Sequence, residues 1–489
     1  MKRSVTLKTV FIIAAGCCFS HCPLFARNDT VAPPKRAIAK AAIETVGINI
    51  GVWAFDRYII ASDAVYNIDF STAKRNFRQG FVWDNDQFST NLLGHPYHGG
   101  LYFNAARSSG MNFGQSLPYS IAGSLMWEYC MENEPPSIND FISTSIGGAV
   151  LGEITFRLSG SLIDNSAGGF NRFGRELLIG LISPMRELNR IFSGEAWKIR
   201  STACDEFSGD IPVSFYVMAG YRGLAEDSEI RNRLDNGMYV DVLLNHGNLF
   251  SENSEKPYDA FILRTSFNFF SKQPLIGSVN VVGQLWGKNI PLKSEKSTAH
   301  WGVFQHFDYY DSNTAVAEQR VNSYRIAETA AVGIGAQFKT AAGRGAGIVS
   351  SAYLTGILLG GSITDYYQVV KRDYNLGSGF SSKISAGLLG RRAGFNIKVE
   401  DYRLYTWKGY EPGTDLSQLT AGEQRTLNVQ GDKGNVRFTI YSTNFYWHFR
   451  KHCVLSFETS YYFRDSYYRY FPNIKYQIVE SKLGICYLF

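Results

Sequence analysis

The first candidate for a functional site is the segment between Gly94 and Gly110, with the sequence GHPYHGGLYFNAARSSG. It holds His95, His98 and Arg107 among several glycines, in a chain with 8 histidines in all. Imidazole groups act as general bases and bind metal ions, and they also serve as neutral hydrogen-bonding groups. The segment is therefore an active site, a metal site or a structural joint. The residues around it are needed to distinguish these three roles.

A metal site needs more ligands than the two histidines. His95 and His98 are three positions apart around Pro96; if Pro96 opens a helix, His95 lies near the N-cap and His98 in the first turn. Glu128 and Glu132 are four positions apart and share one face of a helix. These four residues are weak candidate metal ligands, because no HExxH-type pairing fixes them together. We therefore expect no resident metal and no cofactor.

A hydrolase is the second possibility. His98 would act as the base, Asp140 would orient it, and Ser108, Ser109 or Ser116 would be the nucleophile. The chain has no G-x-S-x-G nucleophile elbow in this region. The full set of candidate catalytic residues is His95, His98, Arg107, Ser116, Glu128 and Asp140.

A structural joint is the reading that the sequence favours. Candidates for ion pairs between helices are Arg107, Glu128, Glu132, Glu153 and Arg157. Glu153 and Arg157 are themselves four positions apart on one helix. In this reading the two histidines bond to backbone groups or carboxylates of neighbouring helices, and the glycines of the segment permit a close approach. Ser137 and Asp140 then act only as helix caps.

Helices must position these residues. The first is expected from Lys35 to about Ile60, although Glu44 interrupts the run of roughly 18 apolar residues that a membrane-spanning helix needs. A second helix is expected to have Ser116 as its N-cap and to stop before Pro135.

A third helix is expected from about Ile138 to Leu162, with Ser137 as its N-cap. Its residues Thr144, Gly148 and Gly152 repeat every four positions. They form a smooth face on which the backbone of another helix can approach closely. We expect this face to belong to a tightly packed helical bundle.

The helical half is expected to end shortly before a second domain. A further helix from about Phe173 to Phe192 should be broken near Pro184. The segment from Cys204 to Asp210 is the expected boundary. We therefore predict a helical domain over residues 35–204 and a β-barrel over residues 210–489.

The second half shows the period-two pattern of β-strands. In KHCVLSFETSYYFR, Leu455 and Phe457 alternate with Ser456 and Glu458, so the strand has one apolar and one polar face. About twelve such runs begin near Ile211, Gly237, Tyr258, Ile276, Thr298, Tyr324, Gly345, Leu376, Ala393, Asn435, His452 and Ile474. An even number of long strands with aromatic residues near their ends is typical of a transmembrane barrel. The predicted fold class is α+β, with an N-terminal helical domain followed by a C-terminal transmembrane antiparallel β-barrel of about 12 strands.

The last strand, SKLGICYLF, places Leu483, Ile485, Tyr487 and Phe489 on one face. A final strand that ends in Phe resembles the terminal signal of Gram-negative outer-membrane barrels, which the barrel-assembly machinery reads. Charged residues on the polar faces of the strands are expected to line the lumen: His306, Asp308, Lys398, Glu400, Arg437, Glu458 and Arg464.

Composition and the N-terminus agree with an exported protein that contacts lipid. Charged residues make up 19% and aromatic residues 15% of the chain, and the net charge of +6 comes without a dense basic run, so nucleic acid is not an expected partner. An apolar core from Val10 to Phe19 and Ala26 as the last residue before cleavage predict a signal peptide over residues 1–26. Residues 27–34 follow as a leader, and lipidation at Cys17 is the alternative.

Two segments carry a resemblance to a known family. NLLGHPYHGGLYFNAARSSG and GSLMWEYCMENEPPSINDFISTSIGGAVLGE resemble a domain family of unknown function in Gram-negative cell-envelope proteins. The match covers about Gln87 to Ser193. It implies a helical N-terminal half paired with a C-terminal barrel, and it brings no activity and no catalytic residues.

The expected location is the outer membrane of a Gram-negative bacterium, with the helical domain on the periplasmic side or in the barrel. Three function classes are open. The first is a binding or transport protein whose helical domain plugs, gates or supports the barrel, and this class does not require an enzyme. The second is a lipid hydrolase or acyl-modifying enzyme centred on His98, and the third is a structural or envelope-assembly factor. The expected partners are outer-membrane lipid, the barrel-assembly machinery through the strand ending at Phe489, and a periplasmic protein.

Overall fold

A computed structural model describes residues 35–60, 65–83, 86–200, 213–226, 235–250, 256–270, 273–312, 324–342, 346–367, 373–415, 418–420, 423 and 431–489. The predicted signal peptide, the leader and the lipidation site at Cys17 lie outside these residues. The expected domain boundary between residues 204 and 210 also lies outside them.

The N-terminal half is helical. Its helices are α1 (Lys35–Phe55), α2 (Phe70–Gln79), α3 (His95–Ser108), α4 (Phe113–Cys130), α5 (Ile138–Ile142), α6 (Gly148–Leu162), α7 (Gly169–Ile182) and α8 (Pro184–Ser193). Three single π-helical turns adjoin these helices. The first, Asp56–Ile60, extends α1, and the second, Thr90–Gly94, leads into α3. The third, Ser143–Gly147, joins α5 to α6. Pro184 begins α8 directly after α7 ends, which is the break that the sequence predicts.

One predicted helix start is wrong. The cap of α4 is Asn112, whose side chain accepts from the backbone N–H of Gln115 while the Gln115 side chain accepts from the backbone N–H of Asn112. This reciprocal capping box satisfies two free N–H groups at once, so the helix begins one turn earlier than expected. Ser116 lies inside the helix and donates its hydroxyl to the Asn112 carbonyl.

The C-terminal half is a closed barrel of twelve antiparallel strands. They are β1 (Val213–Glu226), β2 (Asp235–His246), β3 (Phe261–Asn268), β4 (Ile276–Ile290), β5 (Ser297–Asp311), β6 (Arg325–Ala342), β7 (Ala346–Ile363), β8 (Tyr374–Leu389), β9 (Ala393–Thr406), β10 (Gly434–Arg450), β11 (Cys453–Tyr468) and β12 (Ile474–Leu488). Each strand pairs with the next along the chain, and β12 pairs with β1 to close the wall. The predicted barrel is therefore confirmed.

The two ends of the barrel differ. We call the end where β1 begins and β12 ends the near end, and the opposite end the far end. The near-end connections include very short turns of residues 390–392 and 451–452. The longest connection, residues 407–433, lies at the far end. Short turns at one end and longer loops at the other are typical of outer-membrane barrels.

Alternate side chains of each strand face the lumen. In β5, Asp308 and Tyr310 line the lumen, so Tyr309 between them faces outward. Of the residues expected in the lumen, four line its cavity: Asp308, Lys398, Glu400 and Glu458. Two more are buried with the lumen residues that they contact: His306 with Lys383, and Arg464 with Ser466.

Arg437 is the exception, and the expectation that it lines the lumen is wrong. Its neighbours Val436 and Phe438 belong to the apolar cluster inside the barrel, so the alternation turns Arg437 outward. There its Nε donates to Asp401 over 2.8 Å, close to the far end of the wall. A charged side chain near a barrel rim can be solvated without facing the lumen, because it reaches water or lipid headgroups at the rim.

The helical domain packs against the outside of the wall, and the expectation that it lies in the barrel is wrong for the described residues. One apolar cluster joins Phe88, Val150 and Ile154 of the helical domain to Tyr309 and Tyr374 of the strands. Tyr309 faces away from the lumen, and Tyr374 has the outward parity of its strand. The helical domain therefore covers outward side chains, and the lumen is lined by the strands.

This contact runs along the full height of the wall. At the far end, the rings of Trp83 and Trp407 are 4.5 Å apart, centroid to centroid. At the near end, the Phe113 ring stacks on Tyr258, in the connection between β2 and β3, at 5.5 Å. The helical domain thus lies beside the barrel, and it is not a module below the near end.

Candidate functional site

His98 is held in a hydrogen-bonded chain that requires a proton on its Nε2 atom. The Nδ2 group of Asn49 donates to the carbonyls of Thr45 and Gly123, so its Oδ1 must accept, and it accepts from the Tyr102 hydroxyl over 2.7 Å. The Tyr102 oxygen lies 2.8 Å from Nε2 of His98. Since the single tyrosine proton goes to Asn49, His98 must donate through Nε2. This nitrogen is therefore not available as a base.

His95 joins α3 to the helix that follows α4. Its Nε2 lies 3.5 Å from Oδ1 of Asp140 and 4.0 Å from Oδ2 of Asp86. Asp140 also accepts from Asn139 over 2.9 Å, and Ser137 caps the same helix through the backbone N–H of Asp140. Of the proposed catalytic set, His95 and Asp140 are thus brought together, in a contact between helices.

Glu128 and Glu132 are each occupied by a different donor. Glu128 accepts from the backbone N–H of Ser137 over 2.6 Å, and Glu132 accepts from the indole N–H of Trp127. Within the described ranges, no three His, Cys, Asp or Glu side chains converge as a metal ion requires. The four candidate ligands therefore do not form one ligand set.

Arg107 belongs to an ion-pair chain that ends on the barrel. Glu153 is fully buried in α6, and it receives Nε of Arg107 at 2.8 Å and Nε of Arg157 at 2.7 Å. Arg157 continues to Asp259 at 3.2 Å and to the carbonyl of Pro257 at 2.8 Å, both before β3. The pair of Glu153 and Arg157 expected from the sequence is therefore present, and it also links the two halves of the chain.

The glycines of the segment bring two helix backbones into contact. A Cβ atom added to Gly99 would lie 1.8 Å from the carbonyl oxygen of Thr144, and one on Gly148 would lie 2.6 Å from Cα of Gly99. Gly100 lies in the same way against Gly152. Helix α3 therefore meets α6 and the π-helical turn before it at the small-residue face that the sequence predicts, and a side chain at Gly99 or Gly148 would clash with the opposite backbone.

Among the described residues, Ser116 and His98 are not placed as a nucleophile and its base. Ser116 donates to a carbonyl of its own helix, and the Nε2 atom of His98 is engaged with Tyr102. A nucleophile and its base must lie within hydrogen-bond reach of each other. The GHPYHGG segment instead connects helices to one another, and Arg107 connects it through α6 to the barrel wall.

Sequence reasoning placed His306 and Asp308 in the lumen but missed their partners Lys383 and Glu328. Nζ of Lys383 on β8 lies 2.5 Å from Asp308, 3.0 Å from Glu328 and 3.0 Å from Nδ1 of His306. These residues are distant in sequence, and a strand pattern marks each of them only as polar and inward. Their pairing depends on the barrel circumference, which no single strand encodes.

The lumen contains one continuous cavity of about 650 Å³. Its lining reaches His448 and Leu488 at the near end. Toward the far end, buried aromatic and aliphatic side chains fill the barrel, including the rings of Tyr324 and Tyr462, which stack at 4.1 Å. Tyr324 and Tyr462 also line the cavity, so this cluster forms the floor of the cavity toward the far end.

Arg264 crosses the cavity from β3. It bonds to Asp241 at 2.9 Å and to Glu458 of β11 at 2.7 Å. Its side chain is 34% exposed, whereas the Asp241 carboxylate is 3% exposed. Lys398 and Glu400 show the same arrangement. The cations thus face the cavity and their carboxylate partners lie behind them.

A comparison with known families agrees with the helical half. Residues 80–185 match the family model described as Domain of unknown function (DUF3943), which confirms the resemblance seen in the sequence of the helical half. No curated protein matches the chain.

Several solved barrels are similar to this chain at low identity. The outer membrane channel DcaP of Acinetobacter baumannii is 10% identical, with 57% of this chain and 97% of that chain covered and a TM-score of 0.23. OmpT of Vibrio cholerae is 10% identical, with 57% and 98% covered and a TM-score of 0.24. The NanC porin is 9% identical, with 55% and 98% covered and a TM-score of 0.26. The strand pairing, rather than these matches, establishes the closed barrel.

Proposed function

We propose that the protein is an outer-membrane barrel of the binding and transport class. Its lumen takes up a small anionic solute from the near end, and its helical domain supports the wall from outside. The observation that carries this proposal is the cavity of about 650 Å³, into which Arg264 and Lys398 project with their carboxylate partners behind them.

The outward face of the wall supports a location in the membrane. Its exposed aliphatic side chains include Ile334, Leu354, Ile384, Leu388, Leu483 and Ile485. Exposed aromatic side chains lie toward both ends, with Phe449, Tyr487 and Phe489 at the near end and Tyr221, Tyr405 and Tyr467 at the far end. An apolar band between two aromatic girdles is what a lipid bilayer requires of a barrel. On this proposal the near end, with its short turns, faces the periplasm, and β12 with Phe489 is the segment that the assembly machinery would recognise.

The charge pattern of the cavity supports an anionic solute. Each ion pair is close to neutral at long range, but its cation end faces the cavity, and a partly exposed guanidinium keeps N–H donors for a ligand. Arg264 and Lys398 supply such donors from opposite sides of the barrel. A carboxylate or phosphate of a small solute fits between them in a way that a cationic solute does not.

The proposal is tested by thermal unfolding of the detergent-solubilised full-length protein with citrate or inorganic phosphate. We expect each anion to raise the unfolding temperature of the wild type, and not that of a variant with Arg264→Gln and Lys398→Gln. The matched control is Arg403→Gln with Arg437→Gln, which removes two cations from the outward face and should keep the anion response. Equal responses of the wild type and the lumen variant would overturn the proposal.

A further inference from the structure

Helices α7 and α8 are amphipathic in the reverse sense to helices of a water-soluble domain. Their buried polar residues are Arg172, Arg175, Glu176, Arg186, Glu187, Asn189 and Arg190. Their exposed residues include Phe170, Phe173, Leu177, Leu181, Leu188, Ile191 and Phe192. In water, an amphipathic helix buries its apolar stripe and exposes its charges. These two helices therefore suit a surrounding that is itself apolar.

The buried charges are paired inside the domain. Glu176 receives Nε and Nη2 of Arg190 at 3.0 and 2.9 Å, and Nε of Arg172 at 2.6 Å. Arg186 donates to the carbonyl of Phe156 over 2.6 Å. Charged side chains inside a membrane face the interior of a bundle and pair with one another or with carbonyls. The ion pairs of Glu176 and the bond from Arg186 to a carbonyl are contacts of this kind.

Helix α1 continues the same outer surface. Ala37–Ile60 is long and apolar enough to cross a membrane, and little of it is buried. Its 24 residues give a length of about 36 Å at 1.5 Å per residue, against a hydrocarbon thickness of about 30 Å. Ile43 is 72% exposed and Tyr58 is 70% exposed.

The expectation that Glu44 prevents this helix from spanning a membrane does not hold. Its carboxylate turns inward and accepts from Nδ2 of Asn189 over 3.1 Å, and its side chain is only 18% exposed. The charge therefore joins the polar interior of the bundle. From Ala41 to Ile50 the exposed residues of α1 are apolar, with Ile43 and Val46 on either side of Glu44, and the exposed Lys40 lies nearer the start of the helix.

The helical domain lies at the same height as the apolar band of the barrel. Ala330 of β6 is buried under the helical domain, while Val332, two residues further along the same strand, faces outward and is 50% exposed. The helical domain therefore covers the outer face of β6 as far as Ala330. From Val332 onward, the same face contacts whatever surrounds the barrel. The exposed apolar residues belong to α1, α7 and α8 together, so they extend over three helices rather than forming one patch for a protein partner.

We infer that the helical domain is embedded in the outer membrane beside the barrel, with acyl chains against its exterior and α1 as a membrane-spanning helix. This inference rests on the proposed outer-membrane location of the barrel. It assigns lipid as the occupant because the apolar exterior continues the lipid-facing wall. The protein is then a mixed helical and β-barrel membrane protein, in which the polar chain of His98, Tyr102 and Asn49 lies within the membrane.

The test uses the full-length protein in vesicles that contain a phosphatidylcholine with a photoactivatable diazirine in its acyl chain. After irradiation, mass spectrometry measures the labelled fraction of each peptide. We expect peptides with Ile43 of α1 and Leu177 of α7 to be labelled as strongly as the β12 peptide with Ile485. The connection around Thr414 should be labelled at least several-fold less.

Two results would overturn different statements. If the β12 peptide is labelled while the α1 and α7 peptides match the connection around Thr414, the helical domain is outside the membrane and this inference fails alone. If the β12 peptide is unlabelled as well, the membrane location of the barrel fails. A variant with Leu177→Asn keeps the interior pairs of Glu176 and should lower labelling of its own peptide without changing that of α1.

Discussion

Arg157 of α6 and Asp259, which lies just before β3, form an ion pair of 3.2 Å that ties the helical domain to the barrel. The same arginine holds the fully buried Glu153, so the helical interior and the wall share one cation. The pair is only partly exposed, at 13% for Arg157 and 16% for Asp259. It is therefore more than a surface contact, and its removal tests how the two halves are joined.

We expect Asp259→Asn to loosen the docking of the helical domain at the near end. The change keeps the shape of the side chain and removes the charge, which costs roughly 1–3 kcal/mol for a hydrogen bond to a charged group. Limited proteolysis of the detergent-solubilised protein should cut the helical domain faster while the barrel resists. Asp401→Asn, which changes an outward carboxylate at the far end, should leave the cutting rate as in the wild type. Equal rates for both variants would contradict the docking role of Asp259.

We expect Gly99→Ala to destabilise the helical domain strongly. The new methyl group would meet the carbonyl oxygen of Thr144 at 1.8 Å, so α3 and α6 must move apart. Overpacking of this kind costs about 1–3 kcal/mol, and more where backbone must shift. Circular dichroism during heating measures the loss. Gly47→Ala in α1 is the matched control, because nothing lies within 4 Å of its Cβ position and alanine is favoured in a helix. A Gly99 variant as stable as the Gly47 variant would show that the helices do not cross here.

We expect Tyr102→Phe to destabilise the helical domain without changing any lipid. The substitution leaves Oδ1 of Asn49 and Nε2 of His98 without their bonds, at a cost of about 1–3 kcal/mol for each buried group that stays unsatisfied. Thermal unfolding measures the loss, and mass spectrometry of envelope lipids compares the acyl composition with that of the wild type. A changed acyl composition in both Tyr102→Phe and His98→Gln, with normal amounts of folded protein, would restore the enzyme reading.

Much of the barrel could be predicted from the sequence, because strand alternation is a local signal. Each predicted run begins within about three residues of an observed strand, since the period of two persists even where the loops vary. The N-cap at Ser116 could have been predicted better, because Asn112 and Gln115 form a capping box that the sequence contains. A serine two residues before Pro118 is a weaker signal for the start of a helix than this reciprocal pair of side chains.

The position of the helical domain could not be predicted in this way. The alternation along their strands marks both Tyr309 and Ile334 as apolar residues that face outward. Tyr309 lies under the helical domain, whereas Ile334 is exposed. Lipid and a packed helix select the same side chains, so the pattern of a strand does not distinguish them. The ion pair of Arg157 and Asp259 spans 102 positions in the chain, and only the assembled structure brings it together.

The stacked rings of Tyr324 and Tyr462 predict that the barrel conducts little in its resting form. They lie 4.1 Å apart within the apolar cluster that forms the floor of the cavity toward the far end. Replacement of both by alanine removes the largest rings from this floor, and we expect a steady conductance in planar bilayers that the wild type lacks. Tyr441→Ala is the control, because this tyrosine is exposed on the outward face of β10 and should not change conductance. If the wild type already conducts as well as the double variant, the side-chain floor does not close the lumen.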